Sequence, residues 1–424
     1  MTTAAADNKP CSPPKPTRRR SGTATWHLST GAVDLSVSTV LRWTELQCID
    51  YLVTTRFGGW KTVRCPKCGT VGPHCWKAKE RRWRCTGCRT SFSITSGTIF
   101  SGHKLPLREI VAATMLFTNS AAGQPALELR RHLKRAYNTV YVLQQKLREG
   151  MLRGHNVGLV NGDIEMDGAH QAGRRSEEKR GKPQISQPVG NTPEDSEKSQ
   201  RALTQRGKQK ERKARAEKAA GQRDPDFRKK LPGERRILFA IRQRSGVRGK
   251  GAVATRVGVG KIEGDVEAKS MVNHYVAVPE SILNSDTVKA YNELGKSFIE
   301  HRTVEHSTTF RGPNGENNNQ AEEYNWRYDR AEKGIYLNIE PKYILDYASE
   351  IAFRSDTRRL SNGKQLKLAL HVAMSVGKSL FWAGFTHGKH RDFEFLHPEN
   401  QAAPASGPPK GHSPISMQNG RPPR

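Results

Sequence analysis

Two pairs of cysteines are the clearest chemical feature of this sequence. Two residues separate Cys65 from Cys68 and Cys85 from Cys88, and sixteen residues lie between the pairs. Each C-x2-C pair can form a tight turn whose thiolates point at one centre, and two such turns complete a tetrahedral zinc site. Four protein ligands leave no open position for a substrate. The spacing therefore predicts a zinc ribbon in which one Zn²⁺ stabilises the fold.

The residues between the cysteine pairs add two further hypotheses. His74 and Cys75 could compete with the four cysteines as metal ligands. A set of basic and aromatic residues would suit the phosphate backbone of DNA, and an ordinary solvated surface is the alternative for this set. Its members are Trp76, Lys77, Arg81, Arg82 and Trp83.

Three acids in the second half of the chain predict a metal site of a different kind. Asp167 follows a run in which Ile164 and Met166 alternate with acids, which is the period of a half-buried strand. Asp286 sits just past another predicted strand, and Glu322 begins a helix. In an α/β sheet such positions meet at one edge. Enzymes that cut DNA phosphodiesters hold two Mg²⁺ (or Mn²⁺) ions with a few such carboxylates.

Each acid also has a structural interpretation. Asp167 could be a turn residue at a strand end, and Asp286 could cap a helix from Thr287 to Leu294. Asn319 and Glu322 resemble a capping box, in which both side chains satisfy free N–H groups at a helix start. The acids that could replace Glu322 in the metal site are Glu316 and Glu323.

Helical patterns precede the predicted acid site. One helix is predicted after Thr39, and the stretch from Met115 to Arg148 is predicted to be helical with a break at Ala122–Pro125. The two helices of this stretch could form a helix-turn-helix whose second helix enters a major groove. A solvated basic face is the alternative. The predicted DNA contacts of this region are Arg130, Arg131, Lys134 and Arg135.

The second half of the chain alternates strands and helices, which predicts an α/β domain. Tyr324 and Trp326, on the helix that Glu322 begins, are expected to pack in the core in preference to stacking on bases. The other predicted elements are strands at Ile237–Arg244, at Ala252–Gly260 and ending at Leu283, and helices near Glu263–Asn273, after Asp286, at Pro341–Arg354 and at Lys364–Phe381.

The composition indicates a nucleic-acid partner. The formal net charge is +30 and the pI is about 10.1, which favours a polyanion such as double-stranded DNA. The sequence has no apolar run long enough for a membrane span and no apolar signal-peptide core at its N-terminus, so a cytoplasmic, nucleoid-associated protein with no membrane partner is expected. The predicted organisation is a disordered basic tail (1–38), a helix plus zinc ribbon (39–104), a helical region (105–155), a catalytic domain (156–362) with a basic insertion (174–236), a C-terminal helix (363–396) and a disordered tail (397–424).

Five sequence blocks behind the zinc ribbon resemble insertion-sequence transposases of the ISXO-like class. The blocks are DIEMDGAHQAG, NSDTVKAYNELG, VEHSTTF, NNNQAEEYNWRYDRAEKG and YILDYASEIAFRSDTRRLSNG, and the resemblance covers residues 40–172 and 235–365. Members of this class join a zinc ribbon to a DDE catalytic domain with a ribonuclease-H-like fold and a mixed sheet. The resemblance implies that Asp167, Asp286 and Glu322 are the metal-binding catalytic acids. It also places a catalytic His306 beside Ser307, although His306 could be a structural histidine.

The resemblance implies a bacterial transposase that cuts at the terminal inverted repeats of its element and joins the freed 3′-OH to target DNA. A homo-oligomer is expected on DNA, because two ends must be brought together. A catalytically inactive, transposase-derived DNA-binding protein is the alternative function. Asp329 favours that alternative, since it stands where the class has Lys or Arg, and Arg330 beside it is a predicted DNA contact. A zinc-ribbon nuclease unrelated to transposition is a third hypothesis.

Overall fold

The computed structural model describes residues 26–172, 235–247, 250–286, 291–304, 317–337 and 339–397. The predictions for His306, Ser307 and nearly all of the basic insertion and the C-terminal tail lie outside these residues. The predicted disordered tail (1–38) is wrong from Trp26 onwards. Short 3-10 turns occupy Trp26–Leu28 and Thr30–Ala32, and Asp34 accepts hydrogen bonds from the Ser361 hydroxyl and the Gly363 amide. These bonds fix the segment against a helix start far along the chain.

The N-terminal part contains two helices and a small antiparallel sheet. Helix α1 (Val37–Arg42) is followed by α2 (Glu45–Phe57), which begins with a capping box between Thr44 and Gln47. A 3-10 turn at Trp60–Thr62 leads into the three-stranded sheet. Its strands are β1 (Cys75–Lys77), β2 (Arg82–Arg84) and β3 (Ser91–Phe92). This sheet is the predicted ribbon.

Three helices follow the ribbon: α3 (Leu107–Asn119), α4 (Ala126–Leu133) and α5 (Tyr137–Gly154). The break near Pro125 is confirmed, but the single helix predicted after it is wrong. Lys134 adopts a left-handed backbone conformation with φ of 51°, which ends α4. The turn therefore lies between α4 and α5, with Leu129 and Val140 buried on its two sides.

A five-stranded mixed sheet forms the second half of the molecule. Its strands are β4 (Val160–Ala172), β5 (Arg235–Arg244), β6 (Ala252–Gly260), β7 (Val276–Asp286) and β8 (Glu300–Val304). Their order is β6-β5-β4-β7-β8. Strand β5 runs antiparallel to both neighbours, while β4 pairs with β7, and β7 with β8, in parallel. The predicted α/β, ribonuclease-H-like fold with a mixed sheet is confirmed.

Helices cover both faces of this sheet. On one face, α6 (Asp265–Tyr275) packs Met271 and Val272 against Ile164 and Met166 of β4. On the other face lie α8 (Asn319–Ala331), which continues into a π-helical turn at Glu332–Tyr336, and α9 (Ile344–Thr357), which follows a 3-10 turn at Pro341–Tyr343. The short α7 (Asn292–Gly295) lies between β7 and β8. The period-2 pattern of β4 thus puts Ile164 and Met166 on the α6 side and Asp167 on the α8 side.

The C-terminal part returns to the N-terminal helices. Helix α10 (Asn362–Ser375) shares a hydrophobic core with α2, α3 and α5. It ends before the predicted Phe381, and Gly377 follows with φ of 85°. A 3-10 turn at Phe385–His387 lies beyond it. The helical part and the five-stranded sheet domain are also joined by a buried ion pair between Arg148 and Glu350, 2.7 Å apart. Among the helices of the described residues, none has the length and apolarity that a membrane span requires.

Candidate active site and cysteine metal centre

The four cysteines of the ribbon converge as their spacing predicted. Their sulfur atoms all lie within 4.8 Å of one another. Cys65 Sγ is 3.7 Å from Cys88 Sγ, and Cys68 Sγ is 3.5 Å from Cys85 Sγ. Four thiolates around a tetrahedral Zn²⁺, with Zn–S bonds of about 2.3 Å, are separated by about 3.8 Å. The donor set and its spacing therefore fit a zinc ion.

The two cysteine turns have the same backbone structure. The Gly69 amide donates to the Cys65 carbonyl, and the Arg89 amide donates to the Cys85 carbonyl. Both Gly69 and Arg89 have positive φ, at 78° and 61°. Arg89 adopts this conformation without being glycine, which indicates that the turn imposes it.

The other ribbon hypotheses fare differently. The His74 ring faces Phe92, and its Nδ1 lies 3.4 Å from the Thr86 amide; the group of four sulfurs includes neither His74 nor Cys75. Trp83 is only 2% exposed and packs against Trp60 and Trp76, so its predicted place on a DNA-facing surface is wrong. Of the three basic residues in the predicted set, Arg81 and Arg82 are exposed and Lys77 is half-buried.

The turn between α4 and α5 carries the basic surface that the helical pattern predicted. A cavity of about 630 Å³ there is lined by Arg130, Arg131, Lys134 and Arg135 together with Leu127 and Ala136. The exposed run continues through residues 137–139, at the start of α5. Arg135 donates from Nε to Glu109 over 2.8 Å, which fixes one side of the turn.

Asp167 and Asp286 lie side by side on parallel strands. Met166 of β4 pairs with Ser285 of β7, so the next residue on each strand places Asp167 beside Asp286. Facing residues on adjacent strands point to the same side of a sheet, and the strands are about 4.8 Å apart. The sequence prediction was wrong in two details. Asp167 lies inside β4, since residues 168–172 continue to pair with β5, and Asp286 is the last residue of β7, since it still pairs with Val304.

Glu322 lies in the first turn of α8, and the capping box that was the structural alternative for this turn is not formed. The N-cap residue is Asn318, and its side chain makes no capping hydrogen bond. Instead Glu165 Oε2 accepts from the amides of Gln320 and Ala321, over 2.6 and 3.1 Å. A carboxylate from β4 therefore satisfies the helix start, and Glu322 is not required for that task.

The same helix is tied directly to Asp167. Asn325, three residues after Glu322, donates from Nδ2 to Asp167 Oδ2 over 2.8 Å. Burial raises the pKa of Asp167 to about 6; the Asn325 bond opposes this shift, and the negative charges of Glu322 and Glu263 add to it. Glu322 is therefore near enough to act electrostatically on Asp167.

A fourth acid, Glu263, belongs to this site and was missed by the sequence analysis. It accepts a hydrogen bond from the Tyr291 hydroxyl over 3.1 Å and lies 3.8 Å from His170. Burial raises its pKa, and the charge of Asp286 adds to the rise. A Cβ on Gly168 would lie 2.6 Å from Glu263 Oε1, so the glycine after Asp167 makes room for this carboxylate.

The alternatives for the last acid can be compared in part. Glu323 faces away from Asp167 and pairs with Arg327, Arg242 and Arg358 at 2.7, 3.5 and 3.8 Å. This set of arginines favours Glu322 over Glu323, while Glu316 lies outside the described residues. Asp329 is not an unopposed acid, since it pairs with Lys333 and accepts from Gln171 Nε2 over 3.1 Å.

The two aromatic residues of α8 differ from each other. Tyr324 is fully buried, as predicted, and donates its hydroxyl to the Ala348 carbonyl over 2.7 Å. Trp326 is 56% exposed, so its predicted core position is wrong. The buried stripe of α8 contains Ala321, Tyr324 and Tyr328, at helical spacing, and Trp326 lies off that stripe.

Some of the site residues that the sequence analysis missed could have been found from their positions in the chain, and others could not. Glu263 follows β6 by three residues, which is the strand-end position that also drew attention to Asp286. Asn325 is three residues from Glu322 and so lies on the same helix face. By contrast, nothing local connects Glu165 to the α8 amides or Tyr291 to Glu263, because those contacts depend on the sheet register.

Comparison with known proteins agrees with this geometry. Residues 159–356 match the family model described as the ISXO2-like transposase domain. Searches of curated proteins and of solved structures gave no match. The match contains Asp167, Asp286, Glu322 and Glu263. Residues 159–356 therefore belong to the ISXO2-like transposase family, the class of insertion-sequence DDE transposases that the five sequence blocks indicated.

Proposed function

We propose that this protein is the active transposase of an insertion sequence. It binds the terminal inverted repeats of its element and catalyses metal-dependent DNA strand cleavage and strand transfer. The observation that carries this proposal is the placement of Asp167 beside Asp286, with the α8 helix of Glu322 bonded to Asp167 through Asn325. This placement occurs inside a domain of the transposase family.

The acids fit a divalent cation such as Mg²⁺ or Mn²⁺. Their donors are hard carboxylate oxygens, and the like charges of Glu322 and Glu263 help to raise the pKa of Asp167, a repulsion that a cation would relieve. Asp167, Asp286 and Glu322 would hold the metal. When two ions are bound, they supply activation of the attacking hydroxyl and stabilisation of the leaving oxygen.

The protein's own residues position the acids for this chemistry. Asn325 orients the Asp167 carboxylate, and Glu165 anchors the start of α8 so that Glu322 keeps its position relative to β4. Buried Arg242 donates from Nη1 to the Gln320 carbonyl over 2.8 Å and reinforces this anchor. Preorganised placement of charged groups is the main catalytic contribution that proteins make to phosphoryl transfer.

The local charge around Asp329 removes one argument for the inactive DNA-binding alternative. Asp329 occupies a position where a basic residue was expected, and its negative charge would repel DNA. Lys333 pairs with Asp329, and exposed Arg330 follows it in sequence. The local charge is therefore balanced, so Asp329 does not by itself argue against catalysis.

The N-terminal half would supply DNA recognition. A Zn²⁺ held by Cys65, Cys68, Cys85 and Cys88 would fix the ribbon, and Arg81 and Arg82 would contact phosphates from its exposed surface. The α4–α5 turn would present Arg130, Arg131, Lys134 and Arg135 to the repeat, with the start of α5 nearest the bases. We expect a homo-oligomer on paired DNA ends, working in the cytoplasm at the nucleoid, and a catalytic role for His306 stays a prediction.

A cleavage assay tests the proposal. The full-length protein with Mg²⁺ should nick a duplex that carries the DNA flanking its gene, at the element's end. Asp286→Asn should lower the cleavage rate by roughly 10²- to 10³-fold or more while leaving DNA affinity unchanged. Glu293→Gln is the matched control, because Glu293 is exposed and pairs only with Lys296 among the contacts that are described for it. Cleavage that survives Asp286→Asn would contradict the assignment, and specific binding without any cleavage would favour the inactive alternative.

A further inference from the structure

Trp326 has an unusual environment among the tryptophans of this protein. All seven lie in the described residues. Six of them are buried or half-buried, whereas the Trp326 side chain is 56% exposed. Single exposed apolar residues are common on protein surfaces and need no explanation by themselves. The exposure of Trp326 does call for an explanation, because Trp326 lies on the helix that carries Glu322.

The indole of Trp326 makes a cation–π contact with an arginine of the same helix. The guanidinium carbon of Arg330 lies 4.6 Å from the ring centroid, and Arg330 is itself exposed. Residues four apart are neighbours on a helix surface, so Glu322, Trp326 and Arg330 form one row along α8. The bonds from Asn325 to Asp167 and from Gln171 to Asp329 fix the rotation of the helix. The row therefore begins at the acid site and extends outwards from it.

An aromatic ring beside a guanidinium has the chemistry that recognises a nucleotide. A base can stack on an indole whatever its identity, and an arginine next to the ring adds cation–π attraction and a phosphate partner. Cleaving one strand of a duplex requires a phosphate of that strand to enter the acid site, and a neighbouring base that has left the helical stack could then be held by an aromatic side chain. Trp326 lies one helical turn from Glu322, where such a base would be found.

We propose that Trp326 and Arg330 form a stacking platform for an unpaired base next to the cleaved phosphate, with the indole against the base and the guanidinium on the neighbouring phosphate. This inference rests on the proposed transposase function and adds to it a residue pair that binds the DNA end. The occupant is a nucleotide of the cleaved strand. A protein contact between two copies of the chain is the competing outcome that the test below separates.

The test uses the full-length protein and a duplex of the DNA flanking its gene, with 2-aminopurine placed at positions around the cleavage point. Wild-type protein in Ca²⁺ should change the probe's fluorescence at one position as its base unstacks. Trp326→Ala should remove that change and lower cleavage in Mg²⁺ by about 5- to 100-fold, the range that the stacking of one base supports. Trp326→Phe should keep most of both signals. A duplex mispaired at that position should restore cleavage by Trp326→Ala to near the wild-type rate.

The controls separate this inference from the function on which it rests. Leu380→Ala, which changes an exposed apolar residue bonded through its amide to Glu149 on α5, should cleave like the wild type. Equal cleavage of paired ends by wild type and Trp326→Ala overturns the platform, and so does a loss that mispairing fails to restore. Loss of self-association in Trp326→Ala with an unchanged probe signal overturns it in favour of a protein contact. If the wild type itself does not cleave, the proposed function fails, and the probe signal alone still decides the platform.

Discussion

The two proposed metal centres of this protein are built in opposite ways. The ribbon takes its four ligands from two turns of identical backbone form within residues 65–88. The acid site would take its ligands from β4, β7 and α8, between residues 167 and 322. The first centre is a local consequence of spacing, whereas the second exists only after the sheet has formed in one register. A short cysteine motif can therefore identify its own site, and an isolated acid cannot.

The two centres also differ in what holds them together without a metal. The ribbon sheet has strands of only three, three and two residues. Its two cysteine turns pack on the core that contains α2, but the four thiolates would repel one another without a cation between them. At the acid site, protein groups hold Asp167, Glu263 and the start of α8 through Asn325, Tyr291 and Glu165. Metal removal should therefore unfold the ribbon and leave the acid site folded.

The largest expected effect is the loss of the zinc ribbon. Cys85→Ser, or removal of zinc by a strong chelator, should unfold residues 65–92, because structural zinc contributes on the order of 10 kcal/mol to the folding of such units. Cys65, Cys85 and Trp83 share a core with Ile49 and Leu52 of α2, so that helix should also lose protection. Hydrogen exchange measured segment by segment checks this expectation.

The matched control is Cys75→Ser, since Cys75 is exposed and lies on β1 outside the four-sulfur group. Its exchange pattern should equal that of the wild type. Chelating Mg²⁺ alone should leave β4, β7 and α8 protected. If the acid site unfolds when Mg²⁺ is removed, or if the ribbon stays folded without zinc, then the two centres do not differ in their dependence on metal for folding.

A substitution at Asp167 is expected to have a smaller effect on stability, and to stabilise the metal-free protein where the loss of zinc destabilises it. Its folded-state pKa of about 6 lies above the ordinary 3.8, so the ionised carboxylate destabilises the metal-free fold once the pH exceeds both values. Asp167→Asn should therefore raise the free energy of unfolding at pH 8 by about 1–3 kcal/mol. The gain should shrink as the pH falls through 6 and vanish below about pH 4. Denaturation at several pH values, without divalent metal, measures it.

Mg²⁺ provides the internal control for that experiment. It should stabilise the wild type at pH 8 and have little effect on Asp167→Asn, since binding to the folded state alone raises stability. A variant that is less stable than the wild type at pH 8 would show that Asp167 has a structural role, which would remove the basis for assigning it to the metal.

The smallest expected effect is on metal affinity, and it tests whether Glu263 supports the three acids that were predicted to bind the metal. Glu263→Gln keeps the acceptor for Tyr291 but removes one negative charge that acts on Asp167. The affinity for Mn²⁺, measured by titration calorimetry on zinc-loaded protein, should fall by about 10-fold, as for residues that support metal ligands. Glu293→Gln should not change it. An unchanged affinity in Glu263→Gln would confine the metal site to Asp167, Asp286 and Glu322.

The sequence predicted the cysteine centre and the α/β class with its mixed sheet, but it missed several individual contacts and exposures. The cysteine spacing and the alternation of Ile164 and Met166 in β4 were sufficient, because each depends on neighbouring residues. The exposure of Trp326 could also have been predicted, since Tyr324 and Tyr328 define a buried stripe that excludes it. The end of α4 could not, because Lys134 takes a positive φ that its residue type does not indicate. Glu263 reaches the site only because Gly168 leaves space for it.

Strand transfer tests the central claim most directly, because it separates a transposase from both a nuclease and an inactive DNA-binding protein. A pre-cut duplex with the element's 3′-OH end, incubated with wild-type protein, Mg²⁺ and a supercoiled plasmid, should yield molecules in which the end is joined to the plasmid. Glu322→Gln should give roughly 10²- to 10³-fold fewer joined molecules with unchanged end binding. Hydrolysis of the DNA without joining, or joining that Glu322→Gln does not reduce, would contradict the account.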